Sequence, residues 1–327
     1  MNYILGIDQG GTKTAAAIIN TAGEICGAGS VKGAYYPEDG MNYAMSFVAD
    51  AIQAAEQQAG INPQDINRVV AGITGLDWPE NTPQLEIALR ETTGVRNVKA
   101  YNDCLIAMYG GTRNTCGAVL CAGTGLNGAV ISPAGDLFVL GDYIESSMQG
   151  GSALAQRALR KVFDAQLGFC PPTKLTELFM DFSGKKTIDD LLHVSATNSE
   201  FLTSITPLVP QIVRLAEDGD AVTLQLLDEF ADKMSNYLVA GLNRMDMLLS
   251  RVDVVLAGSV FKGENNRLTM MVKKFIGQSA PNANIISAKY EPVVGACVMG
   301  LMQSGNITIE MEQMLEKSAQ GQNLIRK

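Results

Sequence analysis

The sequence feature that most limits the possible fold is an internal repeat. Residues 11–25 align without a gap on residues 123–137. Both copies begin with Gly-Thr, share an alanine and an isoleucine, and end in Ala-Gly followed by an acidic residue. An apolar run precedes each copy, at residues 3–7 and 118–122, as expected of a buried strand. The repeat therefore predicts two related domains, each opening with a strand, a glycine turn, a strand, a tight turn and a strand.

After each copy of the repeat, helical and extended patterns alternate along the chain. In the first half they alternate between helix and strand over residues 41–59, 68–73, 83–93 and 98–102. The second half has helices within residues 151–249, strands at 252–256 and 284–287, and a helix from about residue 293. Such an alternation predicts α/β domains with parallel crossover connections.

The domain limits follow from the repeat. We expect the first domain to span residues 1–114 and the second to span residues 115–305. A C-terminal helix within residues 306–327 is available to complete the first domain, although the sequence does not decide where that helix packs.

Composition limits the classes of partner. The chain has 25 basic and 34 acidic residues, a net charge of −9, and no basic cluster, which argues against nucleic acid and anionic membranes. Two long uncharged stretches, at residues 114–135 and 292–309, are interrupted by glycines and do not resemble spanning helices. An acidic residue at position 8 comes too early for a secretory signal. We therefore expect a cytoplasmic protein.

The first glycine turn has the composition of a phosphate-binding loop. Residues 8–14, Asp-Gln-Gly-Gly-Thr-Lys-Thr, follow an apolar strand. Glycines let the backbone approach a phosphate, while amide N–H groups, threonine hydroxyls and Lys13 can donate to it. Asp8 would lie beside that phosphate, and two anions so placed need a divalent cation such as Mg²⁺ between them. The second turn, at residues 123–125, supplies an equivalent loop.

A third glycine turn follows the apolar run at residues 254–256. Its Ala-Gly-Ser sequence leaves room for a flat base or a ribose. An ordinary strand-to-helix turn explains the same residues equally well.

Asp103 is the residue best placed to act as a general base. It follows the strand predicted at residues 98–101 and opens a predicted helix at 104–109, and open α/β sheets present ligands at such strand ends. Phosphoryl transfer to a hydroxyl needs a group that accepts the proton. From position alone, an N-cap aspartate is an equally good explanation.

The motifs occur in an order that resembles a known superfamily. They are residues 8–14, Gly72-Ile73-Thr74-Gly75, Asn102-Asp103, Gly123-Thr124-Gly125-x-Asn127, Ala257-Gly258-Ser259 and Glu291-Pro292-x-x-Gly295-Ala296. This set resembles the sugar kinase, heat-shock chaperone and actin superfamily, and within it the N-acetylglucosamine kinase and BadF/BadG/BcrA/BcrD ATPase family. The resemblance implies an α/β fold of two ribonuclease-H-like domains, as in actin-like ATPases, with ATP in a cleft between them.

The resemblance also implies roles for individual residues. It makes Asp103 the catalytic base, and the position of Asp8 at the end of another strand leads to the hypothesis that Asp8 positions Mg²⁺ through water. The implied ATP contacts are Gly10, Gly11, Thr12 and Lys13 in the first phosphate loop, Thr124 and Gly125 in the second, and Gly258 and Ser259 at the adenosine.

The acceptor site departs from the family pattern. Members that phosphorylate N-acetylglucosamine have an asparagine in a Gly-x-x-Asn context, which residues 32–37 lack, and a Gly-Asp-Glu-Gly-Ser run, whose acids are missing from residues 148–152. A glutamine cannot reproduce the hydrogen-bonding pattern of a carboxylate that accepts two sugar hydroxyls. The remaining polar residues that we expect to contact the acceptor are Asn102, Asn127, Asp142 and Gln149.

Some of these assignments have a structural alternative. Asn102 either touches the acceptor or only fixes its turn, and Asp142 either contributes a polar contact or lies in a solvated loop. Tyr35 and Tyr36 either stack on a sugar ring or cover the domain edge.

The expected function is an ATP-dependent kinase acting on a hydroxyl of a sugar or amino sugar of the N-acetylglucosamine, glucosamine or muramic type. The resemblance implies a homodimer. One alternative is an ATPase that activates a 2-hydroxyacyl-CoA dehydratase through an iron–sulfur cluster shared across a dimer. Cys116 and Cys121 argue against it, because on one strand they face opposite sides. The other is an idle nucleotide or sugar sensor.

Overall fold

A computed structural model gives the fold and describes residues 2–262 and 266–326. The chain divides into two compact units. The first unit is Met1–Val119 with Ile286–Lys327, and the second unit is Leu120–Ile285. The domain limits 1–114 and 115–305 stay a prediction, which limited proteolysis would test.

The strands and helices lie close to the positions that the sequence predicts. In chain order the strands are β1 (Tyr3–Gln9), β2 (Lys13–Asn20), β3 (Ile25–Lys32), β4 (Ile66–Ile73), β5 (Val98–Asn102), β6 (Gly117–Ala122), β7 (Leu126–Ile131), β8 (Leu137–Val139), β9 (Asp253–Ala257) and β10 (Asn284–Ser287). The α-helices are α1 (Tyr36–Asp39), α2 (Met41–Ala59), α3 (Thr82–Thr93), α4 (Asp103–Tyr109), α5 (Gly150–Gln166), α6 (Leu175–Ser183), α7 (Ile188–Thr197), α8 (Ser199–Ser204), α9 (Val209–Glu217), α10 (Ala221–Arg244), α11 (Arg267–Ser279), α12 (Pro292–Met302) and α13 (Ile309–Gly321).

The two units share one strand order, which confirms the predicted α/β repeat. The sheet of the first unit has the order β3-β2-β1-β4-β5, and that of the second unit has the order β8-β7-β6-β9-β10. In the first unit β1, β2 and β3 pair antiparallel, while β4 and β5 run parallel to β1. The carboxyl ends of β1, β4 and β5 therefore meet at one edge of the sheet.

The core of the first unit covers both faces of β1. Leu5 and Ile7 pack into a cluster with buried residues of α2 and α3. On the other face, α12 lies so close that a Cβ added at Gly6 would be 2.7 Å from the Cys297 Sγ. Both faces of the strand are buried, which explains its nearly continuous apolar sequence.

The C-terminal residues complete the first unit. Helix α13 packs against β3, where the backbone N–H of Ile25 donates to the Ser318 hydroxyl at 3.0 Å. Arg113 forms an ion pair with Glu312 of the same helix. The N-terminal sheet is thus packed against residues that follow the second unit in the chain.

The second unit is mainly helical. Its longest helix, α10, packs against α9, α11 and β7. Phe179 and Phe230 are the largest fully buried side chains of this unit. Among the described residues, no helix combines the length and apolar character needed to cross a bilayer.

Candidate active site

The first phosphate loop joins β1 to β2 in a tight turn. The N–H of Gly10 donates to the Lys13 carbonyl at 2.9 Å, and Gly11, Thr12 and Lys13 are exposed. Gly33 lies directly against this turn, because a Cβ there would be 2.0 Å from the Gly10 carbonyl oxygen. The loop therefore offers exposed amides, a hydroxyl and an ammonium group from a firmly held backbone.

Asp8 lies at the end of β1, paired in register with Gly72 of β4. The pKa of this carboxyl is raised to about 7, mainly by burial, next by the nearby charge of Asp103, and to a smaller extent by that of Glu291. Lys13 acts in the opposite direction and lowers it. The edge of the sheet thus carries more negative charge than its own cation compensates.

This charge distribution fits a divalent cation. Carboxylate oxygens are ligands that Mg²⁺ prefers, and a cation beside Asp8 would relieve the repulsion among these acids. Within residues 2–262 and 266–326, no group of three or more potential ligand side chains could hold a metal ion by itself. A cation here would therefore take its other ligands from phosphate oxygens and water, as Mg²⁺ does in kinases.

Asp103 occupies the first turn of α4, directly after β5. The N-cap of this helix is Asn102, whose Oδ1 accepts from the Cys104 N–H at 3.0 Å. Asp103 is therefore not the N-cap residue. The pKa of Asp103 is raised to about 6, mainly by burial and next by the charge of Asp77, while a hydrogen bond from the Thr74 side chain acts to lower it.

Asn102 is held on both sides of its amide. Besides capping α4, it donates from Nδ2 to the Leu76 carbonyl at 3.1 Å and to the Asp77 carboxylate at 2.8 Å. The side chain is buried. The structure thus gives Asn102 the turn-fixing role, and its contact with an acceptor stays a prediction.

Asp77 and Thr74 were not assigned roles from the sequence, yet both influence Asp103. They lie in the turn after β4, and Thr74 belongs to the Gly-Ile-Thr-Gly motif. Asp77 could have been found from the sequence, because it is an acidic residue that closely follows this motif.

Aromatic side chains lie beside the same turn. The Tyr36 hydroxyl donates to the Gly75 carbonyl at 3.0 Å, and a Cβ at Gly75 would be 2.9 Å from the ring of Tyr35. Tyr35 is 37% exposed and Trp78 is 53% exposed. The first unit therefore has exposed aromatic side chains near the turn whose Thr74 donates a hydrogen bond to Asp103.

The second phosphate loop, in the second unit, rests on the start of α5. The N–H groups of Gly151 and Ser152 donate to the carbonyls of Gly123 and Thr124, at 2.8 and 3.1 Å. Gly150 has a φ of +51°, and a Cβ there would be 2.1 Å from the Gly125 carbonyl oxygen. Only glycine fits this contact between loop and helix.

Gln149 braces the second loop. Its Oε1 accepts from the Leu126 N–H at 3.1 Å, and its Nε2 donates to the Ile144 carbonyl at 3.2 Å. Both ends of the amide are thus engaged within the unit. The acceptor contact proposed for this residue from the sequence stays a prediction.

The other residues assigned to the second unit lie on two further turns. Asn127 accepts from the N–H groups of Gly128 and Gly141, at 2.7 and 3.0 Å, and Asp142 is exposed in the turn that follows Leu140. Gly258 has a φ of +96°, and a Cβ there would be 2.2 Å from the Ala122 carbonyl oxygen. Gly258 and the exposed Ser259 therefore lie beside the end of β6, next to the second phosphate loop.

These features agree with the result of comparing the whole chain with known families. The sequence model of the BadF/BadG/BcrA/BcrD ATPase family matches residues 5–300. The chain belongs to this family. Since this is a family of ATPases, we expect the protein to use ATP.

Named relatives of this family member include sugar kinases. It is 29% identical to the glucosamine kinase GspK of Vibrio cholerae, over 73% of the chain and 80% of that protein. It is 24% identical to the N-acetylmuramic acid/N-acetylglucosamine kinase of Clostridium acetobutylicum, over 91% of the chain and 98% of that protein.

A solved structure shows the same fold. The family member resembles a ROK family glucokinase from Streptomyces griseus, solved in complex with glucose and AMPPNP, with a TM-score of 0.63 and 17% identity. The match covers 93% of this chain and all of that one (100%). The fold is thus the two-domain α/β fold of the actin-like ATPase sugar kinases, as the resemblance implied.

Proposed function

We propose that this protein is an ATP-dependent kinase that phosphorylates a hydroxyl of an amino sugar. The observation that carries the proposal is the edge of the first sheet, where the first phosphate loop follows β1 and Asp103 follows β5, with β4 between these two strands. The names of the relatives support amino sugars, since glucosamine, N-acetylglucosamine and N-acetylmuramic acid all occur among them. They favour a kinase over an activator of a dehydratase.

In the proposed reaction, Asp103 accepts the proton of the acceptor hydroxyl. The acceptor oxygen bonds to the γ-phosphorus of ATP, the bond between that phosphorus and the β–γ bridging oxygen breaks, and ADP leaves. Lys13 and the amides of the first loop hold phosphate oxygens as charge moves toward ADP. Mg²⁺, held beside Asp8, would supply further neutralisation of the phosphate charge.

The raised pKa of Asp103 suits this role. A carboxyl with a pKa of about 6 is ionised at neutral pH, yet it is a stronger base than an ordinary aspartate. The Thr74 hydroxyl donates to the carboxylate and orients it.

A coupled assay of ADP release tests the proposed function. Purified protein, Mg²⁺ and ATP would be combined with glucosamine, N-acetylglucosamine, N-acetylmuramic acid, glucose and mannose, and the sugar phosphate identified by mass spectrometry. We expect turnover with at least one amino sugar. Nucleotide binding without a product from any acceptor would contradict the proposal and favour a sensor.

The homodimer implied by the resemblance also stays a proposal. A sedimentation equilibrium mass near twice the chain mass of 34.9 kDa would support it. A mass near that of one chain would contradict it.

We expect activity to be lost at mildly acidic pH. Protonated Asp103 cannot accept a proton, so its raised pKa places the loss near pH 6, above the range of an ordinary aspartate. At saturating Mg·ATP, kcat/KM for the acceptor should fall about tenfold per pH unit below that value.

Asp77→Asn should move this acidic limb to lower pH. The substitution removes the negative charge that helps raise the pKa of Asp103, while its amide oxygen can still accept from Asn102. A pH profile identical to that of the wild type would contradict the assignment of the limb to Asp103.

A further inference from the structure

Gln9 joins three segments of the first unit through its side chain and its backbone. It is fully buried at the end of β1, where Nε2 donates to the Ala34 carbonyl. The backbone carbonyl of Gln9 accepts from the Thr74 N–H at 2.9 Å. Its chain neighbours are Asp8 and Gly10, at the start of the first phosphate loop. Gln9 thus contacts the first phosphate loop, the chain that leads to Tyr35, and the turn whose Thr74 donates to Asp103.

The side-chain amide of Gln9 lowers the stability of the folded protein. Oε1 of Gln9 meets no hydrogen-bond donor among the residues that the structure describes. An unpaired buried acceptor destabilises the folded state, and an apolar side chain of equal length would avoid this. Such a local conflict is typical of positions that serve function.

A series of contacts runs from the phosphate loop to the base. Gly33 donates to the Thr12 carbonyl at 3.0 Å, so the chain that enters the aromatic segment is fixed to the loop. At its far end the Tyr36 hydroxyl holds the Gly75 carbonyl. Gly75 follows Thr74, whose side chain donates to Asp103. Gln9 provides a second connection between the two ends of this series. Its side chain donates to the Ala34 carbonyl, and its backbone carbonyl accepts from the Thr74 N–H.

We propose that Gln9 is a positioning residue that couples nucleotide binding to acceptor binding. This inference rests on the proposed function, in which the first loop holds ATP phosphates, and it adds that the acceptor binds on the surface beside Tyr35 and Gly75. Phosphates that fix the loop also fix Ala34 and Thr74 through Gln9. By thermodynamic linkage, the acceptor then strengthens nucleotide binding by the same factor.

Gln9→Met tests this coupling. Methionine keeps the length of the side chain and removes both the donor and the unpaired acceptor. The dissociation constant of glucosamine would be measured by calorimetry with and without Mg·AMPPNP. We expect AMPPNP to tighten glucosamine binding at least about fivefold in the wild type and less than about twofold in Gln9→Met.

Two controls separate positioning from general structural effects. Gln58, at the exposed end of α2, accepts from the Ala28 N–H at 2.7 Å, so Gln58→Met also removes a side-chain to backbone hydrogen bond. It should leave the coupling factor unchanged. Gln9→Met should bind AMPPNP alone within about twofold of the wild type and keep its melting temperature within a few degrees.

Several results would overturn the proposal. They are a coupling factor unchanged in Gln9→Met, whatever its melting temperature, a loss of AMPPNP binding without sugar, and an absence of coupling in the wild type. Failure of the wild type to phosphorylate glucosamine or any other sugar in the ADP-release assay contradicts the proposed function instead. Turnover with unaltered coupling contradicts only the role of Gln9.

Discussion

Asp103→Asn should reduce kcat by about a thousandfold and leave nucleotide binding nearly unchanged. Asparagine keeps the size of the side chain but cannot accept the proton of the acceptor hydroxyl, and general base catalysis contributes roughly 10²- to 10⁴-fold. The α4 helix should form as before, because Asn102 is its N-cap. The measurements are ADP release at saturating substrates and calorimetric titration with Mg·AMPPNP.

Asp77→Asn is the matched control for this variant. It also neutralises one carboxylate at the same edge of the sheet, and we expect it to retain most of its kcat at pH 8, where Asp103 is ionised in both the wild type and the Asp77→Asn variant. If Asp103→Asn kept the turnover of the wild type, another residue would be the base. If both variants lost activity equally, the total negative charge at this edge of the sheet would matter more than the position of one base.

Gly150→Ala should have the second largest effect, and it should act through the second phosphate loop. The new Cβ would lie 2.1 Å from the Gly125 carbonyl oxygen at a φ of +51°. Left-handed backbone costs a non-glycine residue about 1–2 kcal/mol, and the collision adds about 1–3 kcal/mol or moves the loop. We expect KM for ATP to rise at least about tenfold, together with a lower free energy of unfolding.

Gly168→Ala separates the effect of backbone strain from the effect of the collision. Gly168 has a φ of +76°, but a Cβ there would meet no atom within 4 Å. This variant should lose about 1–2 kcal/mol in urea denaturation and keep the KM for ATP of the wild type. Equal KM values in both glycine variants and the wild type would show that the loop tolerates the displacement.

The sequence predicted the sheets well because their signals are local. The repeat, the apolar strands and the glycine turns each occupy a few consecutive residues, and together they predict the strand positions and the antiparallel strands that open each unit. The base candidate was found in the same way, since Asp103 follows its strand directly. Its N-cap alternative needed the structure, because the choice between Asn102 and Asp103 depends on which side chain reaches the Cys104 N–H.

The supporting residues could not be predicted, because their roles depend on contacts between distant segments. Asn102 meets Asp77, and Gln9 meets Ala34, across 25 residues in each case. Nothing in the sequence around these residues indicates that either pair is in contact. The same holds for Gln149: its acceptor contact stays a prediction, and the sequence does not indicate the hydrogen bonds that its amide forms with Leu126 and Ile144.

The discontinuous first unit has a consequence for synthesis of the protein on the ribosome. Strand β1, which carries Asp8, emerges before the whole second unit, whereas α12, which covers one of its faces, emerges after it. A nascent chain that ends before Ile286 therefore exposes one apolar face of the strand beside the phosphate loop. The second unit, being continuous in sequence, can complete its core while the first is still waiting for its final helices.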